Sequence, residues 1–489
     1  MTFNLFKINC VLTGKIACEE VLLISIYLLF YARFYRDNII NQTMSETITY
    51  QYKRPSSLMK SDLSDELFLS KYSEVQKNSA PCFFWGRLTD PYITAKCLLT
   101  LSKVVQSSFS LSPFEMAMLK DPIVTAGNEK IRFEGFSHCA GVYARVDVLG
   151  DGHDGEFLEN GTTNVDFNQP MLSALSGIRK NENVLLSIGQ KEVALHKEDE
   201  KIVERKVPLP VKWIKGLTTV QMYLAESEKV HSFNRLQALQ LFKTIPAGKP
   251  KTDYYLTVRG GKPMFSPVKT GDSITVGGVN RLKLIEPLLM VADELRVFPH
   301  TNMQSTTWQV YIGPVRFSLS LSRDSWRGFS GEGAALESLI EDIPDKLVQL
   351  IDNYSYANQE FNPTLLAFEE GLNLQKIENL TGRLSAIGLL GYDLDDNVFF
   401  YRRLPFKLSR IMTLNPRLKD AEKLLNESKV EIVSRQADKV EALVEGSGVK
   451  HTVILNGDKQ QCTCTWFSKN QGERGICKHI LAVKKMLAN

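Results

Sequence analysis

From Met44 to about Asp121 apolar residues recur at steps of three and four, most clearly at Ala95, Leu98, Leu99 and Leu101 to Val104. That spacing predicts a helical opening. From Lys130 to about Lys206 the period shortens toward two, in IRFEGFSHCAGVYARVDV, EFLENGTTNVDF and VLLSIGQKEVALH, with Gly, Asn and Asp between the runs. A small antiparallel sheet is expected there. The charged stretch HKEDEKIVERK followed by Pro208-Leu209-Pro210 reads as a semi-rigid connector, which puts a boundary near residue 207. Trp213 to Ile245 returns to helical spacing. Asp253 to Leu321 is again strand-rich, with turns at Gly260-Gly261 and Gly277-Gly278 and its clearest strands in TWQVYIGPVRFSLSLS.

Helical spacing resumes after Gly333 in ALESLIEDIPDKLVQLIDNY. Ile377, Leu380, Leu384 and Ile387 then mark one face of a further helix, ended at Gly388 to Gly391 and followed by a hairpin whose turn is Asp395-Asp396-Asn397. From Asn415 the order is helix, strands, a knuckle and a last helix. The fold class expected is therefore α+β and multidomain, with alternating helical and antiparallel β blocks at 44–207, 208–332, 333–414 and 415–489. The last block carries a small ββα unit.

Composition adds little to this picture: 43% hydrophobic and 23% charged residues describe an ordinary globular chain. A net charge of +4 is too small to mark a polyanion binder without a dense local patch. Between Asn415 and Asn489, 13 Lys/Arg face 9 Asp/Glu, so 13 − 9 = +4 and the excess of the whole chain lies in this block. The apolar run Val21 to Ala32 is shorter than the roughly 17–25 residues of a spanning helix, and it lacks the flanks of a secretory signal. Met44, followed by SETITYQYKRPSS, reads as a natural start. Residues 1–43 are thus expected to be an upstream extension, with a membrane anchor as the lesser alternative. Eight cysteines are too sparse for a disulfide scaffold, and three of them fall between residues 462 and 477. That clustering fits a reducing, cytoplasmic setting and a metal.

The cluster is Cys462-Thr-Cys464 and, twelve residues on, Cys477-Lys-His479. Residues two apart in an extended knuckle project to one side, so each pair can offer both ligands to one ion. Two pairs complete a tetrahedron, and a full protein ligand set suits one structural Zn²⁺ with no open position for catalysis. Strands precede the first pair in KHTVILNG and QCTCTW, and the second opens a helix with an apolar stripe at Ile480, Val483 and Leu487. Three thiolates and one imidazole around the ion leave a charge near −1, which Lys469, Arg474, Lys478, Lys484 and Lys485 can offset. Pairs with one-residue gaps also make poor disulfides.

This C-x-C, spacer and C-x-H order at the head of a helix closely resembles the SWIM zinc finger, with Cys462, Cys464, Cys477 and His479 in the ligand positions. The resemblance covers about forty residues and implies a DNA-binding or protein-binding module without a catalytic role. More loosely, the chain from Met44 resembles large bacterial proteins with a terminal SWIM finger that work beside AAA-type ATPases and von Willebrand A-domain proteins.

For nucleic acid, Arg402, Arg403, Lys407 and Arg410 lie on or just past the second strand of the expected hairpin, an arrangement reminiscent of a winged-helix unit, and Lys469, Arg474 and Lys478 lie near the metal pairs. A structural element with a solvated basic edge is the favoured reading of the first group. Trp466 and Phe467 are placed to stack on bases or, preferentially, to pack under the knuckle.

The remaining motifs are weak. His138 and Cys139 are adjacent in a strand and so point to opposite faces. Arg145, Asp147 and Asp166 could line a polar pocket, but a salt-bridged sheet face is the better reading. Gly328 to Gly333 lacks the Lys-Ser/Thr of a phosphate loop, and neither H-E-x-x-H nor G-x-S-x-G occurs. No enzyme and no small-molecule substrate are expected. Protein partners lead, DNA follows, and no membrane partner is expected.

Overall fold

The alternating segments between Lys130 and Ser322 form long antiparallel strands with two chemically different faces. The computed structural model describes residues 82–107, 122–197, 200–207, 211–323, 328–330, 360–369, 371, 373, 374, 377, 381, 384, 385, 390–402, 416–436, 438–446, 448–457, 459–472 and 475–488, with four short strands between Tyr50 and Val75. Two compact units are distinguished, Met1–Ser79 and Ala80–Asn489.

In the first unit β1 (Tyr50–Tyr52), β2 (Ser57–Lys60), β3 (Asp65–Phe68) and β4 (Ser73–Val75) pair antiparallel as β1 with β4 and β2 with β3. The helical opening expected from Met44 is therefore corrected: among the described residues of that stretch the helix spans 91–106, and short strands precede it in the chain.

The second unit opens with β5 (Cys82–Leu88) and α1 (Pro91–Gln106), whose N-cap Asp90 accepts the Ile93 N–H at 3.0 Å. Strands β6 (Ile123–Gly127), β7 (Lys130–Phe136), β8 (Val142–Val148), β9 (His153–Phe157) and β10 (Gly161–Asn164) follow, then α2 (Gln169–Gly177). Next come β11 (Val184–Gly189), β12 (Glu192–Lys197) and β13 (Glu200–Arg205). After α3 (Val211–Ala225), β14 (His231–Asn234) and α4 (Arg235–Phe242), the chain forms β15 (Tyr254–Arg259), β16 (Lys262–Ser266) and β17 (Ile274–Val276). It continues into β18 (Glu294–Pro299), β19 (Ser305–Ile312) and β20 (Val315–Ser322).

Eight of these strands make one sheet in the order β10-β6-β7-β8-β20-β19-β18-β14. Because β8 and β20 are hydrogen-bonded neighbours, the two blocks expected on either side of residue 207 share a single sheet. A five-stranded sheet, β13-β12-β11-β5-β9, and a three-stranded one, β16-β15-β17, complete this part.

On one face of the eight-stranded sheet Ile131, Phe133, Val146, Phe317, Leu319 and Trp308 are all buried, and α1 packs there. A Cβ at Gly135 would lie 2.6 Å from Val105, which is why the strand carries glycine where the helix crosses it. The other face carries Arg132, Glu134, Tyr143, Arg145, Asp147, Arg316 and Gln309, and it is buried too. Its cover includes β21 (Glu360–Phe361), β22 (Leu390–Asp393) and β23 (Val398–Tyr401), a small sheet in the order β21-β23-β22. The helix expected before this hairpin is helical at the described positions Leu374, Ile377, Thr381, Leu384 and Ser385, and the turn falls at Asp395 to Asn397 as expected, with Asn397 at φ +56°. Residues 331–359, including the helix expected after Gly333, lie outside the described residues.

Arg316 Nη2 donates to Asp393 at 2.7 Å, Arg145 Nη1 to the Tyr392 carbonyl at 2.7 Å, and Arg402 Nη1 to both Glu134 oxygens at 2.7 Å. The hairpin is therefore clasped onto the sheet by buried ion pairs and is not a free wing. The salt-bridged reading of Arg145 and Asp147 holds, since Arg145 Nε lies 2.9 Å from Asp147 Oδ1. Asp166, just past β10, is separated from β8 by β6 and β7, so the three residues do not converge on one pocket.

The last segment comprises α5 (Pro416–Asn426), β24 (Val430–Arg435), β25 (Lys439–Gly446), β26 (Val449–Asn456), β27 (Lys459–Cys462), α6 (Thr465–Asn470) and α7 (Lys478–Ala488). Its four strands form one antiparallel sheet in chain order, with a hydrophobic core separate from the large one. Leu418, Ala421, Val444, Val453, Ile480 and Val483 are its centre.

Candidate metal centre

The β26–β27 hairpin sets Cys462 opposite Val453 at the end of the sheet. One residue on, the chain turns, and Cys464 becomes the N-cap of α6, its Sγ accepting the Phe467 N–H at 3.3 Å. Cys477 immediately precedes α7, and its Sγ accepts the Ile480 N–H at 3.5 Å, while His479 lies in the first turn of that helix. Both cysteines therefore sit where backbone N–H groups and the positive end of a helix favour a thiolate. The second pair thus converges from a helix N-terminus, as the sequence reading placed it, with the helical first turn rather than an extended knuckle bringing its two ligands to one side.

All four side chains are buried, and their ligand atoms lie within 4.8 Å of one another. Cys462 Sγ is 3.7 Å from His479 Nδ1. A regular tetrahedron of zinc–sulfur bonds of about 2.3 Å has edges of about 3.8 Å, so the cage is sized for that ion. The donor set fits as well: three sulfurs and one imidazole are the borderline-soft ligands that zinc prefers. The side chains of Cys462, Cys464, Cys477 and His479 are thus positioned to bind one structural Zn²⁺.

Without an ion, hydrogen bonds from the Cys462 and Cys477 thiols hold Cys464 well below the usual thiol pKa. Donating to Cys464 pushes Cys462 far up. For Cys477 the hydrogen bond involving Cys462 lowers the pKa, but the one to Cys464 and burial outweigh it, leaving the thiol at about 11. Zinc binds thiolates, so taking up the ion releases the protons these thiols share.

The far nitrogen of His479, Nε2, is buried with no hydrogen-bond partner among the described residues, and it packs beneath Gly446, where an added Cβ would stand 2.8 Å away. The His451 ring lies 4.5 Å from the His479 ring. Gly446→Ala is therefore expected to push the imidazole off its position and weaken zinc binding by about 10- to 100-fold, the usual cost of disturbing a group that orients a ligand. Competition with a chromophoric chelator reads this out, and unchanged affinity would mean that the contact is slack.

Sequence reasoning missed Arg417, because no local spacing marks a contact across 59 residues. Its Nη1 donates to the Ile476 carbonyl at 2.7 Å, and its guanidinium lies 4.6 Å from the Trp466 ring centre, so it ties the approach to Cys477 onto α6. Trp466 and Phe467 pack against the small core, as preferred from the sequence.

Of the residues proposed to meet nucleic acid, Arg402, Lys469 and Lys478 lie among the described residues. Arg402, just past β23, is fully buried on Glu134, so its charge is neutralised inside the fold and does not face solvent. Lys478 is partly exposed but reaches Asp420 of α5 at 3.2 Å, and its neighbour along α7, Lys485, reaches Glu422 at 2.7 Å. Lys469 is exposed on α6. Arg403, Lys407, Arg410 and Arg474 lie outside the described residues.

No curated protein matches the sequence. Among solved structures, proliferating cellular nuclear antigen from Entamoeba histolytica is similar at 9% identity over 50% of this chain and 99% of that one, with a TM-score of 0.34. A DNA polymerase sliding clamp from Caulobacter crescentus is similar at 9% identity over 77% of this chain and 86% of its own, with a TM-score of 0.33. Likeness this shallow assigns neither a fold nor a partner. Residues 451–488, which contain all four ligands, match the family model of the SWIM zinc finger. The chain therefore carries a SWIM zinc finger built around Cys462, Cys464, Cys477 and His479.

Proposed function

We propose that this protein is a non-catalytic, cytoplasmic scaffold or protein-interaction component whose SWIM finger, held in shape by zinc, takes part in docking a protein partner. The observation that carries this reading is the engagement of the finger's cations. Lys478 and Lys485 are held by Asp420 and Glu422, and Lys429 by Glu427 at 2.8 Å, so these three of the block's cations are engaged in intramolecular pairs. A phosphate-binding face needs those charges available. Meanwhile Val433, Val449 and Met486 are exposed on the finger, apolar contacts of the kind a protein partner covers. The looser resemblance supplies the class of partner, an AAA-type ATPase or a von Willebrand A-domain protein. Among the described residues no helix is long and apolar enough to cross a membrane.

The test pairs two measurements on the zinc-loaded chain. Capture of a purified AAA-type ATPase or von Willebrand A-domain protein from the same genome should occur with the native chain and fail with Cys477→Ser. Binding to duplex DNA across a salt series should stay at or above about 10⁻⁴ M, the weak end of non-specific binding, with a shallow slope. Micromolar DNA binding with a steep slope, and no capture, would replace this reading with the DNA-binding one.

A further inference from the structure

A small cleft of about 80 Å³, open to solvent on one side, lies where the loop before β15, the 3-10 turn Val279–Leu284 and the end of β20 meet. Lys249, Lys251, Asp253, Asn280, Arg281 and Arg323 line it, four cations and one carboxylate among the described residues. Such a volume is far below the roughly 300–1,000 Å³ of drug-sized ligand pockets and suits an ion of a few atoms.

Two arginines give the cleft a fixed geometry. Arg281 is buried, and its Nη1 donates to the Gly141 carbonyl at 3.0 Å. A Cβ at Gly141 would stand 2.3 Å from that nitrogen and would displace the guanidinium, and Gly278 takes φ +61° beside the same side chain. Burial lowers the pKa of Arg281, with the neighbouring Cys139 opposing, so an anion placed alongside would find a cation poorly compensated by solvent. Arg323 is half-exposed, and its Nε donates to Asp253 Oδ2 at 3.1 Å. A carboxylate oxygen of the chain itself already docks on the second guanidinium, at the place where a ligand oxygen would.

We propose that this cleft binds a small polyvalent oxyanion of the phosphate or diphosphate class. Guanidinium forks match tetrahedral oxyanions, and charge-assisted bonds of this kind are about twice as strong as neutral ones. Asp253 is the competitor: an arriving anion must share Arg323 with it and bear its repulsion.

Titration of the full-length zinc-loaded chain with inorganic diphosphate by calorimetry at low salt tests this, with zinc content assayed afterwards to exclude stripping of the finger. Saturable binding is expected, weakened about tenfold by Arg323→Ala, weakened a few-fold by the exposed Lys251→Ala, and tightened about tenfold by Asp253→Asn. Arg323 and Lys251 are exposed enough that their loss leaves the fold intact, so a null result is interpretable. Absence of saturable binding, or equal affinity in the native chain, Arg323→Ala and Asp253→Asn, would overturn the proposal.

Discussion

Replacing Cys477 with serine is expected to reduce zinc from one ion per chain to nearly none and to unfold the block from Pro416 onward, while the large unit keeps its own unfolding transition. Cys477 is the most deeply buried of the four ligands and the one that starts α7. A serine hydroxyl is a poor zinc ligand at neutral pH, so the remaining cage has three donors around a cation that requires a closed site. Structural zinc contributes on the order of 10 kcal/mol to small units of this kind. The hydrophobic core of the finger is small and separate from the main one, and it offers no substitute for that energy. Metal content by atomic absorption, together with limited proteolysis, decides the matter. New cuts should be confined to residues after about 416, with the melting of the larger part unmoved. A chain that loses the ion but keeps its protease pattern would show that packing alone holds the finger. Lys478→Ala is the matched control, because its exposed pair with Asp420 is worth at most about 1 kcal/mol.

How much of this was legible in the sequence depended on whether the governing physics was local. The metal centre was legible because ligand chemistry restricts both residue type and spacing, and the hairpin at Asp395 to Asn397 was legible because its turn residues are dictated by backbone conformation. The shared eight-stranded sheet was not. Whether β8 pairs with β20, across more than 160 residues, depends on which faces the whole chain buries, and no window of sequence carries that. That the salt-bridged polar face is buried was not legible for the same reason. Alternation such as Lys130-Ile131-Arg132-Phe133-Glu134 predicts a strand with one solvated side, and only the arrival of Asp393 and Arg402 from far along the chain turns that side into an interior. Arg402 looked like a surface cation because its partner, Glu134, lies 268 residues away.

That buried polar face supports the second large effect: Asp393→Asn is expected to destabilise the large unit by about 3–5 kcal/mol at neutral pH, the cost of removing one partner from a buried ion network. Asp393 is fully buried. Its carboxylate accepts from Arg316 at 2.7 Å and lies 3.6 Å from Arg132 and 3.7 Å from Lys130. Asparagine keeps the shape and removes the charge, leaving these cations desolvated with Asp147, Glu360 and the turn aspartates as their remaining counter-charges. The pH dependence follows with a definite sign. Burial alone would raise the Asp393 pKa, but Arg316, Arg145, Arg132 and Lys130 together hold it well below the usual carboxylate range. A carboxyl depressed in the folded state stabilises the fold fully above its unfolded pKa of about 3.9, and that contribution is lost as pH falls toward the folded value. The stability gap between the native chain and Asp393→Asn should therefore be widest near neutral pH and should narrow as the solution is acidified below about pH 4. Urea unfolding of both proteins at several pH values measures it. A gap under about 1 kcal/mol at pH 7, or one that does not narrow in acid, would mean that Asp147 and Glu360 alone satisfy the arginines and that the hairpin is held by its apolar residues, Tyr392, Phe399 and Phe400.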